Sequence, residues 1–231
     1  MPRLVVLGCG TGVGKTRFSV ALLRALAARG ASAIGLKPIE SGIELGAANS
    51  PGSDASALAA AGSMHPSVRH PLYAFRAPVS PHLAARAEGI RIDVQRAAAW
   101  ARRAESEVAT HAGPHMVTWS VVETAGGVFS PLSQTASNFD LALALDPAIW
   151  VLVAADALGV LHDVSAALQA MRARNRAPDH IVLSAARAPD ASTGTNAAEL
   201  TALGIATPSA VLSRGDDQGV DSLVALLLGQ T

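Results

Sequence analysis

The segment Gly8-Cys9-Gly10-Thr11-Gly12-Val13-Gly14-Lys15-Thr16 follows directly on an apolar run and opens an Ala/Leu-rich stretch of helical composition. Alternate glycines let a backbone wrap so that successive N–H groups point inward, and a helix N-terminus behind them adds its positive dipole end. Such a cradle suits phosphate. Lys15 is then placed to meet the β- and γ-phosphates of a nucleotide, and the Thr16 hydroxyl to ligate Mg²⁺. In the usual spacing GxxxxGK[ST] the first glycine falls at position 9, where this chain has Cys9 and offers Gly8 one place earlier. The loop is therefore a variant of that pattern. Cys9 is expected to be a small buried filler, because no second cysteine and no clear base lies near it.

A second signal lies in the cations. Of the 18 basic residues only two are lysines, Lys15 and Lys37. A coding bias toward arginine and alanine replaces lysine wherever either cation serves, and it should stop where a compact ammonium is needed. Both survivors fall inside motifs, so Lys15 and Lys37 are expected to be the two cationic residues of one active site.

The elements that must position these groups are legible from periodicity. Short apolar runs alternate with longer Ala/Leu stretches along the whole chain, the pattern of a parallel sheet wrapped by helices. Strands are expected at Arg3 to Gly8, Ala33 to Lys37, Met116 to Glu123, Ala148 to Ala154, His180 to Ser184 and, more weakly, Ala206 to Leu212. Their runs are nearly continuous, so both faces should be buried. Helices are expected at Lys15 to Arg29, with Gly30 as its stop, and at Arg91 to His111, Val160 to Arg174, Ala197 to Leu203 and Asp221 to Leu228. Ser41 to Ser53 and the Pro-rich stretch His65 to Pro81 read as long loops, and in open α/β sheets ligands bind at the carboxyl ends of the strands. The expected fold is α/β: a single doubly wound, mostly parallel sheet with helices on both faces, of the P-loop NTPase type, forming one domain over residues 1–231.

Composition excludes several functions. The 231 residues are 50% hydrophobic, with 18 basic residues balanced by 18 acidic ones, so no basic field is present to hold nucleic acid or an anionic membrane. A lone cysteine and the short stretch Met1 to Leu7 ahead of the loop point to a reducing cytoplasmic location.

Further motifs follow in order. Gly8 to Thr16 resembles the GTxTxVGKT loop of dethiobiotin synthetases, Lys37 to Gly42 that family's KPxxSG segment, Ser53-Asp54-Ala55 its SDA, and Pro78 to His82 its PxSPH. Val122 to Gly127 resembles VEGAGG, followed by Phe129-Ser130-Pro131-Leu132-Ser133, and Leu158 to Leu161 resembles the later LGxI. The resemblance implies a Mg²⁺- and ATP-dependent ring closure. 7,8-Diaminononanoate and CO₂ or bicarbonate form a carbamate, ATP phosphorylates it, and the neighbouring amine closes a cyclic urea, giving dethiobiotin, ADP and phosphate.

It also implies roles for residues. Lys15, Lys37 and Thr11 act on the carbamate and the transferred phosphoryl group, while Gly12, Val13, Gly14, Lys15, Thr16, Arg17, Glu123, Thr124, Ala125 and Gly126 bind the nucleotide. Ser41, Gly127, Leu158, Gly159 and His162 bind the diamine, the last three across a homodimer interface. Thr16, Asp54 and Glu123 hold Mg²⁺, a hard cation that takes a few oxygen ligands and keeps several waters. Without the family, Asp54 ahead of an Ala-rich run is better explained as a helix N-cap than as a ligand. His82 is expected to support a loop.

Four departures bear on function. Gly10 replaces an acidic residue in the loop, and Thr124 replaces a glycine. His162-Asp163 stands where the family has Asn-His, which puts an acid where a substrate carboxylate is received. Ser184-Ala185 stands where the family reads adenine with Asn-Asp, which predicts a relaxed nucleotide preference with CTP or GTP competing against ATP. The competing readings are a P-loop switch ATPase of the partitioning or division-site kind, an amide-forming synthase on cobalamin precursors, and a diverged synthetase that is inactive or takes another substrate. The first normally carries an extra lysine early in the loop, and this loop has no Lys or Arg between Gly8 and Gly14.

Overall fold

Continuous apolar runs become strands buried on both faces. The computed structural model describes residues 1–43, 52–68, 70–111 and 117–229. In chain order the strands are β1 (Arg3–Gly8), β2 (Ser32–Leu36), β3 (Ile39–Ser41), β4 (Tyr73–Phe75), β5 (Thr118–Glu123), β6 (Ile149–Asp156), β7 (His180–Ala185) and β8 (Ala210–Leu212). The helices are α1 (Lys15–Ala28), α2 (Asp54–Ala61), α3 (Pro81–Ala87), α4 (Val94–His111), α5 (Asn138–Leu145), α6 (Val160–Arg172), α7 (Asn196–Ala202) and α8 (Asp221–Leu227). Six strands form one sheet in the order β2-β5-β1-β6-β7-β8, with every pairing parallel.

The strands divide their side chains between two cores. Val5 and Leu7 of β1 join the apolar residues of α3, α4, α5, α6 and α7 on one face, while Leu4 and Val6 join those of α1, α2 and α8 on the other. This is the doubly wound arrangement expected from the sequence. Because the sheet is parallel, the ends of β1, β2 and β5 bring Gly8, Lys37 and Glu123 to the same edge. Truncating a buried leucine such as Leu7 to alanine in either core costs about 2–5 kcal/mol, so this positioning rests on ordinary packing. No helix among the described residues is long and apolar enough to cross a membrane.

The differences from the expected elements have local causes. The stretch His65 to Pro81 contains β4, which pairs with β3 in a separate two-stranded sheet. Three-residue strands are too short to show alternation. Helices α2, α3 and α5 are short as well, although Ser80-Pro81 at the start of α3 carries the proline that favours a first helical turn. Helix α4 begins at Val94 instead of Arg91 because the Asp93 carboxylate accepts from Gln95 N and Arg96 N, at 2.8 and 3.2 Å. Strand β8 lacks Ala206 to Ser209, and Met116 and residues 44–51 of the Ser41 to Ser53 stretch lie outside the described residues. Gly30 adopts φ 78° just past α1, as a helix stop requires.

Candidate active site

Residues 8–16 wrap over the end of β1 and lead into α1, whose N-cap is Gly14 at φ 91°. A Cβ there would stand 2.2 Å from Ser184 Oγ and 2.6 Å from Ser184 Cβ, so β7 holds the loop from below and admits only glycine. Lys15 is buried, and its Nζ donates to Gly10 O at 3.2 Å. Burial pushes its ammonium down to about 8, against the pull of Glu123.

Lys37 is 5% exposed, and its Nζ lies 2.5 Å from Asp54 Oδ2 and 2.6 Å from Glu123 Oε1. Burial alone would lower its pKa, but the carboxylates of Glu123 and then Asp54 outweigh it and hold the ammonium above its usual value. Glu123 is fully buried at the end of β5 and also accepts from Thr16 Oγ1 and Ser19 Oγ, each at 2.8 Å. Asp54 is not the N-cap of α2. Ser53 takes that place, accepting from Ser56 N at 3.1 Å, which leaves the Asp54 carboxylate for Lys37. Burial works to raise Asp54, yet Lys37 brings its pKa below the usual carboxylate value.

The two lysines thus share one cleft of about 230 Å³, lined by Thr11, Gly12, Gly14, Thr16, Ser41, Asp54, Glu123, Ala125 and Gly126 as well. Thr16, Asp54 and Glu123 contribute oxygen alone, the hard donor set that suits Mg²⁺. Gly126 is at φ 84° and Gly127 lies against Cys9 O, so a side chain at either would crowd the loop. Asn138 holds this turn from below, donating to Ala125 O and to Gly127 O at 2.5 and 2.9 Å.

Other expected site residues are placed elsewhere. The Arg17 side chain turns away to Asp217, 2.8 Å away, and to Ser213 O. Val13 is partly buried against the α1 face. Thr124 is buried with its hydroxyl donating to Val6 O at 3.0 Å; its φ is not positive, so replacing glycine there imposes no left-handed strain. Leu158, Gly159 and His162 sit at the start of α6 and do not line the cleft of their own chain, and Leu158 is 84% exposed. Ser184 is fully buried beneath Gly14, with no partner for its hydroxyl among the described residues. Cys9 is partly buried with its thiol pushed up to about 12 by burial, and His82 Nδ1 lies 2.9 Å from Ser80 Oγ at the start of α3.

Two residues escaped the sequence reading. Glu40 lines the cleft and accepts from Asp54 N at 2.7 Å and Ala55 N at 3.1 Å, fixing the start of α2 and hence Asp54. Its place inside Lys37 to Gly42 was the available signal. Ser19, one helical turn after Thr16, offered only its spacing.

The depressed Lys15 pKa predicts a proton linkage. Bound phosphate favours the ammonium, so nucleotide binding takes up a proton above pH about 8, and affinity falls as pH rises beyond that value. Calorimetry at pH 9 in two buffers of different ionisation enthalpy reads the uptake directly; equal heats in both would exclude it. The same group makes the unliganded protein gain stability as pH rises from about 8 to 10.5, because the unfolded chain binds the extra proton there.

Comparison with known proteins adds the following. A family profile described as AAA domain matches residues 2–214. The chain is 38% identical over 214 residues to the ATP-dependent dethiobiotin synthetase BioD of Anaeromyxobacter dehalogenans, covering 92% of this chain and 90% of that one. It is 40% identical to the enzyme of the same name from Caulobacter, over 75% of this chain and 71% of that one. Among solved structures it resembles the MinC:MinD cell division complex of Aquifex aeolicus, with TM-score 0.53, 12% identity and coverage of 100% and 97%. A ParA family ATPase from Chlorobium tepidum gives TM-score 0.51 at 12% identity, covering 100% and 93%. At that identity the last two establish the shared fold alone.

Proposed function

The chain belongs to the family of ATP-dependent dethiobiotin synthetases, and from that membership we propose how its cleft performs the reaction. It is an ATP-dependent ligase that forms dethiobiotin. One amine of 7,8-diaminononanoate adds to CO₂ and loses a proton, giving a carbamate. A carbamate oxygen attacks the γ-phosphorus of ATP and ADP departs, leaving a carbamic–phosphoric anhydride. The neighbouring amine attacks the carbonyl carbon, expels phosphate and loses a proton, which closes the cyclic urea.

The difficulty is the meeting of two anions, and the cleft answers it with its ammonium groups. Lys15 holds the β- and γ-phosphates and the carbamate, Lys37 steadies the γ-phosphoryl group and the carbamate as charge moves between them, and the Thr11 hydroxyl donates to the carbamate. The backbone N–H groups of residues 12–16 and the turn of residues 123–126 grip the nucleotide. Ser41 and Gly127 border the diamine. Thr16 and Asp54 would hold Mg²⁺, with Glu123 behind them, and a bound Mg²⁺ supplies charge neutralisation at the β- and γ-phosphates.

The reading is carried by one observation: the chain's only two lysines converge on a single cleft with both carboxylates of the expected metal set. Burying Lys37 between two carboxylates has no value for stability alone, since apolar packing would do as well. The exposed start of α6, which is not part of the lining of its own cleft, supports a homodimer in which Leu158, Gly159 and His162 reach the diamine tail in the partner. We place this one-domain enzyme in the cytoplasm.

The test is direct. Purified protein with Mg²⁺, ATP, bicarbonate and 7,8-diaminononanoate should produce the cyclic urea by mass, with one phosphate released per ring closed. A folded, nucleotide-binding protein that gives no product would shift the assignment to another diamine, with Asp163 as the first residue to replace.

A further inference from the structure

The turn after β5 contains a peptide whose direction is set from outside the cleft. Asn138, the first residue of α5, is fully buried, and its side-chain amide donates to two carbonyls of this turn, Ala125 O at 2.5 Å and Gly127 O at 2.9 Å. Gly127 O has a second donor in Ser130 N at 2.9 Å, whereas Asn138 is the only donor to Ala125 O among the described residues. The other end of the amide is unused: Asn138 Oδ1 is buried with no partner among the described residues. An orphaned buried oxygen costs stability, so what the amide contributes here lies in its two N–H groups.

A trans peptide sets its C=O and N–H in opposite directions, and the described chain has no cis peptide. The peptide from Gly127 to Val128 obeys this: its oxygen is held by Asn138, and its N–H, on the other side, donates to Gly8 O of the phosphate loop at 2.7 Å. With Ala125 O likewise turned onto Asn138, the N–H of Gly126 is directed the other way, to the side of the cleft that Ala125 and Gly126 line. That N–H has no acceptor among the described residues, and Thr11 Oγ1 is close by, 3.6 Å from where a Cβ of Gly126 would stand. Gly126 is also where the arrangement is easiest to lose. Glycine takes either sign of φ, so from its φ of 84° a half-turn of the preceding peptide is cheap and would present Ala125 O to the cleft.

We propose that Asn138 is a positioning residue for the reaction: by holding Ala125 O it keeps the Gly126 N–H aimed at the reacting oxygens beside Thr11. The proposal rests on the synthetase reading above. In that reading the carbamate and the γ-phosphoryl group bring negative charge to this part of the cleft, where an N–H attracts it and a carbonyl oxygen repels it. A donor of this kind is worth most when its direction is fixed before the charge develops. Gly126 supplies the donor, and Asn138, which touches neither substrate, supplies the direction.

Two variants of the same branched shape test this: Asn138→Asp sets oxygen against both carbonyls, and Asn138→Leu removes every polar group. Alanine labelled with ¹³C at its carbonyl, combined with ¹⁵N-glycine, gives signals from the three Ala–Gly peptides of the sequence, and the signal lost in Ala125→Ser is the one of interest. In the unliganded wild type the Ala125 carbonyl is expected at the downfield position of a hydrogen-bonded acceptor, and in both variants it should move upfield. Turnover of the folded variants should fall roughly 10²-fold, while affinity for a fluorescent ADP analogue, which has no γ-phosphate, stays within about twofold of wild type. Wild-type kcat in either folded variant, or an Ala125 carbonyl that does not move, would overturn the role of Asn138 and leave the synthetase reading intact. So would loss of ADP affinity along with turnover, or failure of both variants to fold, either of which would make Asn138 a residue of the scaffold alone. Wild-type protein that makes no dethiobiotin would overturn the synthetase reading, and this proposal with it.

Discussion

Lys37→Met is expected to lower the turnover of dethiobiotin formation by roughly 10²–10³-fold, the usual consequence of removing one preorganised donor from developing negative charge. ATP affinity should change far less, because Lys15 and the backbone of residues 12–16 remain. The variant also leaves Glu123, fully buried, with only the Thr16 and Ser19 hydroxyls for partners. Breaking a buried pair from one side costs about 3–5 kcal/mol, so denaturant unfolding should show a large loss of stability as well. The two effects separate in a second variant. Lys37→Met combined with Glu123→Gln removes the stranded charge and should recover most of the stability without recovering turnover. Wild-type kcat in a folded Lys37→Met protein would remove Lys37 from the chemistry. Because the folded pKa of Lys37 is raised, its contribution to stability is complete below the unfolded value of 10.5 and is lost only as pH rises through the higher folded value.

Gly14→Ala is expected to weaken nucleotide binding at least about tenfold although it adds a single methyl. That methyl would overlap Ser184 Oγ and Cβ, at 2.2 and 2.6 Å, and Gly14 has a φ of 91° that L residues rarely adopt. Overpacking costs about 1–3 kcal/mol and the left-handed backbone about 1–2 kcal/mol more, and the loop can escape both only by lifting off β7. Lifting displaces the Lys15 ammonium and the N–H groups at the start of α1 together, so ATP affinity should fall at least tenfold, since about 1.4 kcal/mol suffices for that. The pair Gly14→Ala with Ser184→Gly clears the overlap and leaves the backbone strain, so it should restore affinity in part. Titration of the three proteins with a fluorescent ADP analogue measures both components. Unchanged affinity in Gly14→Ala would mean that the loop does not rest on β7 as described.

Which features were legible in the sequence follows from the range of the interactions that create them. The strands β1, β2, β5, β6 and β7 were readable because a buried parallel strand needs an unbroken apolar run, and the helices α1, α4 and α6 because their periodicity extends over several turns; α7 and α8, seven residues each, were also expected, at Ala197 to Leu203 and Asp221 to Leu228. The phosphate loop was readable because its glycines serve the local backbone. Lys37 stood out through composition, as one of only two lysines kept among arginines. Helices α2, α3 and α5 and the pair β3 and β4 are too short for period to speak, and they form because neighbours cover them.

The tertiary structure alone decided what each polar group is for. Asp54 had two readings along the chain, cap or ligand; Ser53 takes the cap, and Lys37 stands 2.5 Å from the Asp54 carboxylate. Glu40 fixes the start of the same helix from fourteen residues away, a relation no spacing rule contains. Arg17 follows the lysine-threonine pair of the loop yet serves Asp217, and Ser184, aligned with a base-reading position, lies beneath Gly14. The residue types and the order of the elements thus determined by themselves that a phosphate cradle would stand at the carboxyl edge of a parallel sheet. Which charges pair there depended on the sheet order, because only the packing of β2 and β5 beside β1 carries Lys37 and Glu123, 86 residues apart, to within 2.6 Å of one another.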